Sequence, residues 1–179
     1  ISRRCRRRVA FANSRFSTFA TSNSQVMRRI ADASFLLALT AWVGALWAIG
    51  YIAAPLLFAH LADRATAGSL AGSMFSVVNW LGLGCGSYLL LFMLVRLGAA
   101  AMKRPLFWLL LLMFGFSVAQ LFGLQPLIAQ LRSESVPREL AEAATRSRFA
   151  TWHGVASVLY LVQSVIGVFA MLGAQRGLR

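Results

Sequence analysis

The four longest apolar stretches of this chain contain no charged residue. They run from Ala33 to Ala59, from Ala65 to Val95, from Pro105 to Leu131 and from Phe149 to Gln175. A helix needs about 20 apolar residues to cross roughly 30 Å of hydrocarbon, so each stretch is long enough to span a membrane. Soluble helices would need one polar face, which these stretches lack. The sequence predicts an all-α integral membrane protein, a four-helix bundle made of two helical hairpins.

Acidic side chains are scarce, and none lies inside an apolar stretch. The five acids all lie at the ends of the stretches or between them: Asp32, Asp63, Glu134, Glu139 and Glu142. Proton-coupled transporters usually carry such residues within their spans, so this class is disfavoured. The sequence also lacks a phosphate-binding glycine loop, a carboxylate pair within a span and a nucleophile beside a base. We therefore predict that the protein is not an enzyme.

Cysteine is equally rare. Cys5 lies in a basic tail and Cys85 lies inside the second apolar stretch. The two are not expected to meet, so the sequence predicts no disulfide and indicates no redox compartment. We expect Cys85 to be a small packing residue.

The positive charge, +13 in net, lies outside the apolar stretches. Eight arginines precede the first stretch, three basic residues separate the second from the third, and two close the chain, together 13 of the 18 Lys and Arg. Basic residues beside membrane spans remain on the cytoplasmic side, so we expect both termini there. This placement favours a multi-pass membrane protein and argues against nucleic acid as a partner.

Residues 1–26 are rich in Arg and Ser and contain no acid. Three interpretations remain open: an upstream extension that is not native, a mitochondrial-type presequence, or a basic arm that lies on anionic lipid. We expect this stretch to be disordered or not native. The membrane domain is then 27–179, with spans at about 34–58, 73–95, 105–125 and 150–172.

Two prolines divide the chain into similar halves. Pro55 and Pro126 lie near the ends of the first and third spans, within the similar segments PLLFAHL and PLIAQL. Proline cannot donate to the helix and clashes with the carbonyl four residues earlier, so each helix should kink or end there. Asp63 and Pro137 are suited to begin the next helices. These second and fourth helices are long enough to project beyond the bilayer on the outer side.

Few residues within or beside the spans could carry chemistry. His60, Met74 and His153 are weak candidates for a copper or haem site, although their spacing matches no metal motif and a histidine that hydrogen-bonds a loop is commoner. Asn79, Gln120 and Gln163 are expected to form hydrogen bonds between helices. Gly68 with Gly72, and Gly82 with Gly86, form GxxxG pairs that favour close helix packing, within the protein or between copies.

Three segments, GYIAAPLLFAHLADRATAGSLAGSMF, LQPLIAQLRSE and RFATWHGVASVLYLVQSVIGV, resemble a bacterial membrane family, domain of unknown function 4149, which is similar to transmembrane protein 205-like proteins. The likeness covers about residues 30–173. The positions that carry it are Gly50, Pro55, Ala67, Gly68, Gly72, Phe75, Gln125, Pro126, Arg132, Phe149, His153, Gly154 and Ser157. His60 does not belong to the pattern.

The resemblance implies a polytopic membrane protein with no assigned reaction. Its relatives, connected with platinum-drug and copper resistance, suggest metals or export by association only. The candidate outer-face motif, which would form a cup, is Pro55, Gln125, Pro126, Arg132, Phe149, His153, Gly154 and Ser157. Three functions stay open: binding or passing a small solute or metal ion through this cup, a haem- or copper-binding redox protein, and a structural partner of another membrane protein. Lipid is the expected partner, and a homo-oligomer stays open.

Overall fold

The computed structural model of the chain describes residues 3–124, 126 and 139–177, with side chains for 25–63, 66–123, 126, 151–152 and 154–176. The described residues are almost entirely helical and include no strand. Within these described ranges, four stretches are long and apolar enough to cross a membrane: Gln25–His60, Thr66–Lys103, Pro105–Gly123 and Gly154–Arg176. The predicted all-α, four-span class is confirmed.

The helices follow one another with short connections. Their order is α1 Arg3–Trp47, a first π segment Ala48–Ala53, α2 Ala54–His60, α3 Arg64–Leu97, a 3-10 segment Gly98–Lys103, α4 Pro105–Val118, a second π segment Ala119–Leu124, and α5 Glu139–Gly177. The chain divides into two compact units, Ile1–Leu37 and Ala38–Arg179. The second unit contains α2 to α5 and the end of α1.

The first unit consists of the beginning of α1. Residues 3–26 are helical in the structure and belong to α1. They contain neither Gly nor Pro, the two residues that most oppose helix formation. Whether this stretch belongs to the native protein stays a prediction, as does the boundary at residue 27.

Helix α3 begins where the sequence predicted. The Thr66 amide donates to Asp63 Oδ2 at 3.0 Å, and the Thr66 hydroxyl donates to the same oxygen, so Asp63 is the N-cap. The 34 residues of α3 extend about 51 Å and the 39 residues of α5 about 58 Å at 1.5 Å per residue. Both exceed the roughly 30 Å of a hydrocarbon core, as expected for projecting helices. Pro137 lies outside the described residues.

Each proline is preceded by a widened helical segment. The first π segment ends two residues before Pro55 and the second ends two residues before Pro126. In the first, the Ala54 amide donates to the carbonyl of Ile49, five residues earlier, instead of four. The α-helix thus ends at Trp47, eight residues before Pro55, and α-helical geometry resumes at Ala54 with Pro55 in the first turn of α2, whereas the sequence predicted a kink or an end at the proline itself. The matching position of the two π segments agrees with the similarity of the two proline segments.

Within the second unit, α3 packs against α4, α4 packs against α5, and α2 packs against α3. The interior is filled by large apolar side chains that include Leu39, Trp42, Leu46, Leu89 and Leu110. Other apolar side chains, such as Val77, Leu91 and Val95, are more than half exposed on the outside of the helices. An apolar exterior of this kind fits contact with lipid, which replaces water as the surrounding solvent.

Candidate functional site

Among the side chains that the structure describes, five polar ones lie in the interior of the second unit, and we call them the polar core. They are Asn79 on α3, Ser117 on α4, Gln120 in the second π segment, and Gln163 and Ser164 on α5, each at most 5% exposed. None of them is ionisable. Buried polar groups in a membrane need partners because lipid offers no hydrogen bonds.

Gln163 is the centre of this core. Its Nε2 donates to the Met113 carbonyl at 3.1 Å and to Ser117 Oγ at 2.9 Å, and its Oε1 accepts from Gln120 Nε2 at 2.8 Å. The predicted role of Gln120 and Gln163 as partners between helices is confirmed. Three hydrogen bonds join α5 to α4 and to the second π segment, so Gln163 fixes the register between them.

The glycines of the second GxxxG pair bring α1 and α4 close to α3. A Cβ atom on Gly82 would lie 2.6 Å from Trp42 Nε1 and 2.7 Å from Ser117 Oγ. A Cβ atom on Gly86 would lie 2.8 Å from Phe114 Cδ2 and 3.1 Å from Trp42 Cη2. The Trp42 ring therefore lies along the two glycines. The predicted close approach is made within the protein, whereas a Cβ on Gly72 would contact nothing within 4 Å.

Two buried polar atoms have no hydrogen-bond partner among the described residues. They are the indole nitrogen of Trp42, a donor, and Oδ1 of Asn79, an acceptor. Both side chains are at most 1% exposed. The expected pairing of Asn79 with another helix is thus not found at its oxygen, unlike that of Gln120 and Gln163.

Tyr160 connects α5 to the first π segment. Its hydroxyl donates to the Leu46 carbonyl at 2.6 Å. In a continuous α-helix the Leu46 carbonyl accepts from the Gly50 amide. A side chain on Gly50 would overlap the Tyr160 ring, and Phe75 packs edge-on against that ring at 5.0 Å between centroids. The Tyr160 side chain thus contacts the helix backbone at the point where α1 changes from α-helical to π-helical geometry.

The candidate outer-face motif is only partly described. Pro55, Pro126, Gly154 and Ser157 are exposed. Gln125 and Arg132 lie outside the described residues, and so do the side chains of Phe149 and His153, although both positions belong to α5. The cup that these residues were predicted to form stays a prediction.

The metal hypothesis stays equally open. His60 is exposed and Met74 is partly buried, while the side chain of His153 is not described. Over the part of the chain that the structure does describe, no three His, Cys, Asp or Glu residues come close enough to hold a metal ion. No described contact brings His60 and Met74 together.

Sequence reasoning missed three members of the interior. Trp42, Ser117 and Tyr160 were not singled out from the sequence. A signal for two of them was present, because Ser117 with Gln120 and Tyr160 with Gln163 are three residues apart and share a helix face. Paired polar residues on one face of a membrane helix mark the side that faces other helices.

Comparison with known proteins supports one assignment. No curated protein and no solved structure matches the chain. A family model described as domain of unknown function DUF4149 matches residues 37–137. This range includes the first two of the segments that carry the resemblance, while the third, with Tyr160 and Gln163, follows it. The match bears on this family and not on transmembrane protein 205-like proteins. Since it covers more than half of the sequence, the chain belongs to the DUF4149 family.

Proposed function

We propose that this membrane protein binds a small neutral solute in its polar core and passes it across the bilayer. The observation that carries the proposal is the set of five buried, uncharged polar side chains on helices that are otherwise apolar. Amide and hydroxyl groups at membrane depth can replace the hydrogen bonds that a solute loses when it leaves water. Because the described core has no formal charge, it suits neutral solutes better than ions.

The two π segments support passage as well as binding. π-helical turns occur frequently at functional sites, and here Gln120 of the polar core lies within the second one. The solute would enter at the end where Pro55 and Pro126 lie, between the residues of the outer-face motif. His153 is the titratable side chain that this motif would offer. The proposal assigns no chemical reaction to the protein.

Flux through proteoliposomes tests this function. When a small neutral solute such as urea or glycerol is added, vesicles first lose water and shrink, and we expect those that contain the protein to reswell faster than empty vesicles as the solute enters. Gln120→Leu should reduce this solute flux several-fold, because it removes one donor of the polar core, and His153→Ala should reduce entry. Gln175→Leu, an exposed position on α5, is the matched control. Rates equal to those of empty vesicles for every solute would refute the proposal.

We also propose that the protein lies in the bacterial inner membrane with both termini in the cytoplasm. Thirteen of the 18 Lys and Arg residues lie before the first span, between the second and third spans, or after the fourth, and this excess on one side of the membrane supports the orientation. Ala62, in the link between α2 and α3, would then face outward, and Ala100, in the 3-10 segment, would face inward. In a Cys5→Ser, Cys85→Ser background, an impermeant maleimide should label Ala62→Cys in intact cells and Ala100→Cys only after permeabilisation. The reverse pattern would invert the assignment.

A further inference from the structure

We infer that a water molecule is bound in the interior between the Trp42 indole N–H, the Asn79 side-chain oxygen and the Ser117 hydroxyl. The inference does not depend on solute passage. It starts from the two buried atoms that lack partners, Trp42 Nε1 and Asn79 Oδ1. One is a donor and the other an acceptor, so a single water can satisfy both by accepting from the indole and donating to the amide oxygen.

The positions of the three groups fit a single bound molecule. Trp42 Nε1 and Ser117 Oγ approach the same point beside Gly82, the position of its absent Cβ, at 2.6 and 2.7 Å. Asn79 precedes Gly82 by three residues and therefore shares its face of α3, at about 5–6 Å between Cβ positions. A water beside these residues would accept from the indole N–H and donate to the amide oxygen at about 2.8 Å each.

Ser117 supplies the third contact. Its oxygen accepts from Gln163 Nε2, and its own proton has no assigned acceptor among the described residues. The hydroxyl can therefore donate to the water. Three polar partners are the usual number for a buried water in a protein. The water would extend the hydrogen bonds of Gln163 through Ser117 to Trp42 and Asn79, and so connect α5, α4, α1 and α3.

The free-energy cost of burying polar atoms without hydrogen-bond partners supports a bound water at this position. A buried polar atom without a partner destabilises the fold, and the surrounding lipid cannot provide one. One bound molecule explains two such atoms of opposite hydrogen-bonding character, one on α1 where its Trp42 packs against Gly82 and one on α3 one turn before Gly82. The alternative is that both atoms stay unpaired and the fold tolerates both free-energy costs. The two alternatives predict changes of opposite sign in the stability of Asn79→Leu.

Asn79→Leu tests that sign, because Leu has nearly the shape of Asn without its polar atoms. With water bound, the substitution removes one partner and leaves the indole and the water poorly satisfied, so the midpoint of thermal unfolding in detergent should fall by several degrees. If Asn79 Oδ1 is merely unpaired, its removal should raise the midpoint, and that result would overturn the inference.

A double-mutant cycle tests whether the two residues share the molecule. In the Trp42→Phe background, Asn79→Leu should shift the unfolding midpoint much less than it does in the wild type, although the two side chains make no direct hydrogen bond. Trp42→Phe also removes ring volume, but this loss is present in both the single and the double variant and therefore cancels from the cycle. Additive shifts would contradict a shared water.

Ultraviolet resonance Raman spectroscopy reads the indole directly. The difference spectrum between wild type and Trp42→Phe isolates Trp42, and its N–H band should have the frequency of a hydrogen-bonded indole. Trp80→Phe, which changes an exposed ring on α3, provides the reference difference spectrum for a tryptophan outside the site. A free indole N–H at Trp42 would refute the proposal.

Discussion

Gly82→Leu should cause the largest loss of stability of any single substitution described here. Its first side-chain carbon would lie 2.6 Å from Trp42 Nε1 and 2.7 Å from Ser117 Oγ, closer than atoms tolerate, and three more carbons would follow. Neither neighbour is free to retreat, because Trp42 and Ser117 are both fully buried. Overpacking a core costs about 1–3 kcal/mol in ordinary cases and occasionally more, and with four added carbons we expect a loss of more than about 4 kcal/mol or loss of the folded protein.

The matched control lies two residues further along the same helix. A Cβ atom on Gly84 would meet nothing within 4 Å, so Gly84→Leu adds the same side chain without a clash. The measurement is the yield of monodisperse protein and its unfolding midpoint in detergent. Gly84→Leu should remain within a few degrees of wild type. Equal losses in the two variants would mean that α3 is sensitive to glycine replacement in general, and the packing of Trp42 on Gly82 would be wrong.

Gln163→Leu should cause the second-largest effect, a loss of about 2–4 kcal/mol in the free energy of unfolding. The substitution removes three hydrogen bonds at once and leaves the buried Gln120 amide without its acceptor. Interhelical hydrogen bonds in membranes average about 0.6 kcal/mol each, and an unpaired buried donor adds its own penalty of about 1–3 kcal/mol. Unfolding in a mild detergent with increasing denaturing detergent measures the loss.

Two further variants identify the source of the stability loss in Gln163→Leu. Gln175→Leu makes the same change at an exposed position of α5 and should shift stability by less than about 0.5 kcal/mol. The double variant Gln120→Leu, Gln163→Leu removes both partners of the shortest bond in the network and should recover part of the loss, because no amide is then left unpaired. If Gln163→Leu is as stable as Gln175→Leu, the network does not contribute to the fold.

The spans and the start of α3 could be predicted from the sequence because each depends on local chemistry. Long uncharged stretches define membrane helices without knowledge of their partners. Asp63 caps α3 through residues three positions away, which a sequence reader can inspect directly. The GxxxG pair at Gly82 and Gly86 predicted close packing, but not whether the neighbour would be this chain or a second copy.

What the sequence could not supply is the identity of distant partners. Gln120 and Gln163 were recognised as polar residues within spans, yet 43 residues separate them and nothing local pairs one with the other. Tryptophan is a residue type that often anchors helices at the membrane interface. Only the packing of α1 on the glycines of α3 makes Trp42 an interior residue. Prolines at 55 and 126 predicted a break in each helix but not that the backbone would widen into a π segment before it.

The bond between Tyr160 and the Leu46 carbonyl has a consequence for the order of synthesis. The two residues lie 114 positions apart, and a ribosome that adds about 5–20 residues per second needs roughly 6–23 s to reach the second after the first. During this interval the first hairpin resides in the translocation machinery or the bilayer without the Tyr160 hydroxyl, which later donates a hydrogen bond to its Leu46 carbonyl. The last span to emerge is therefore the one that closes the assembly, and a chain truncated before it would expose an unfinished helix to quality-control proteases.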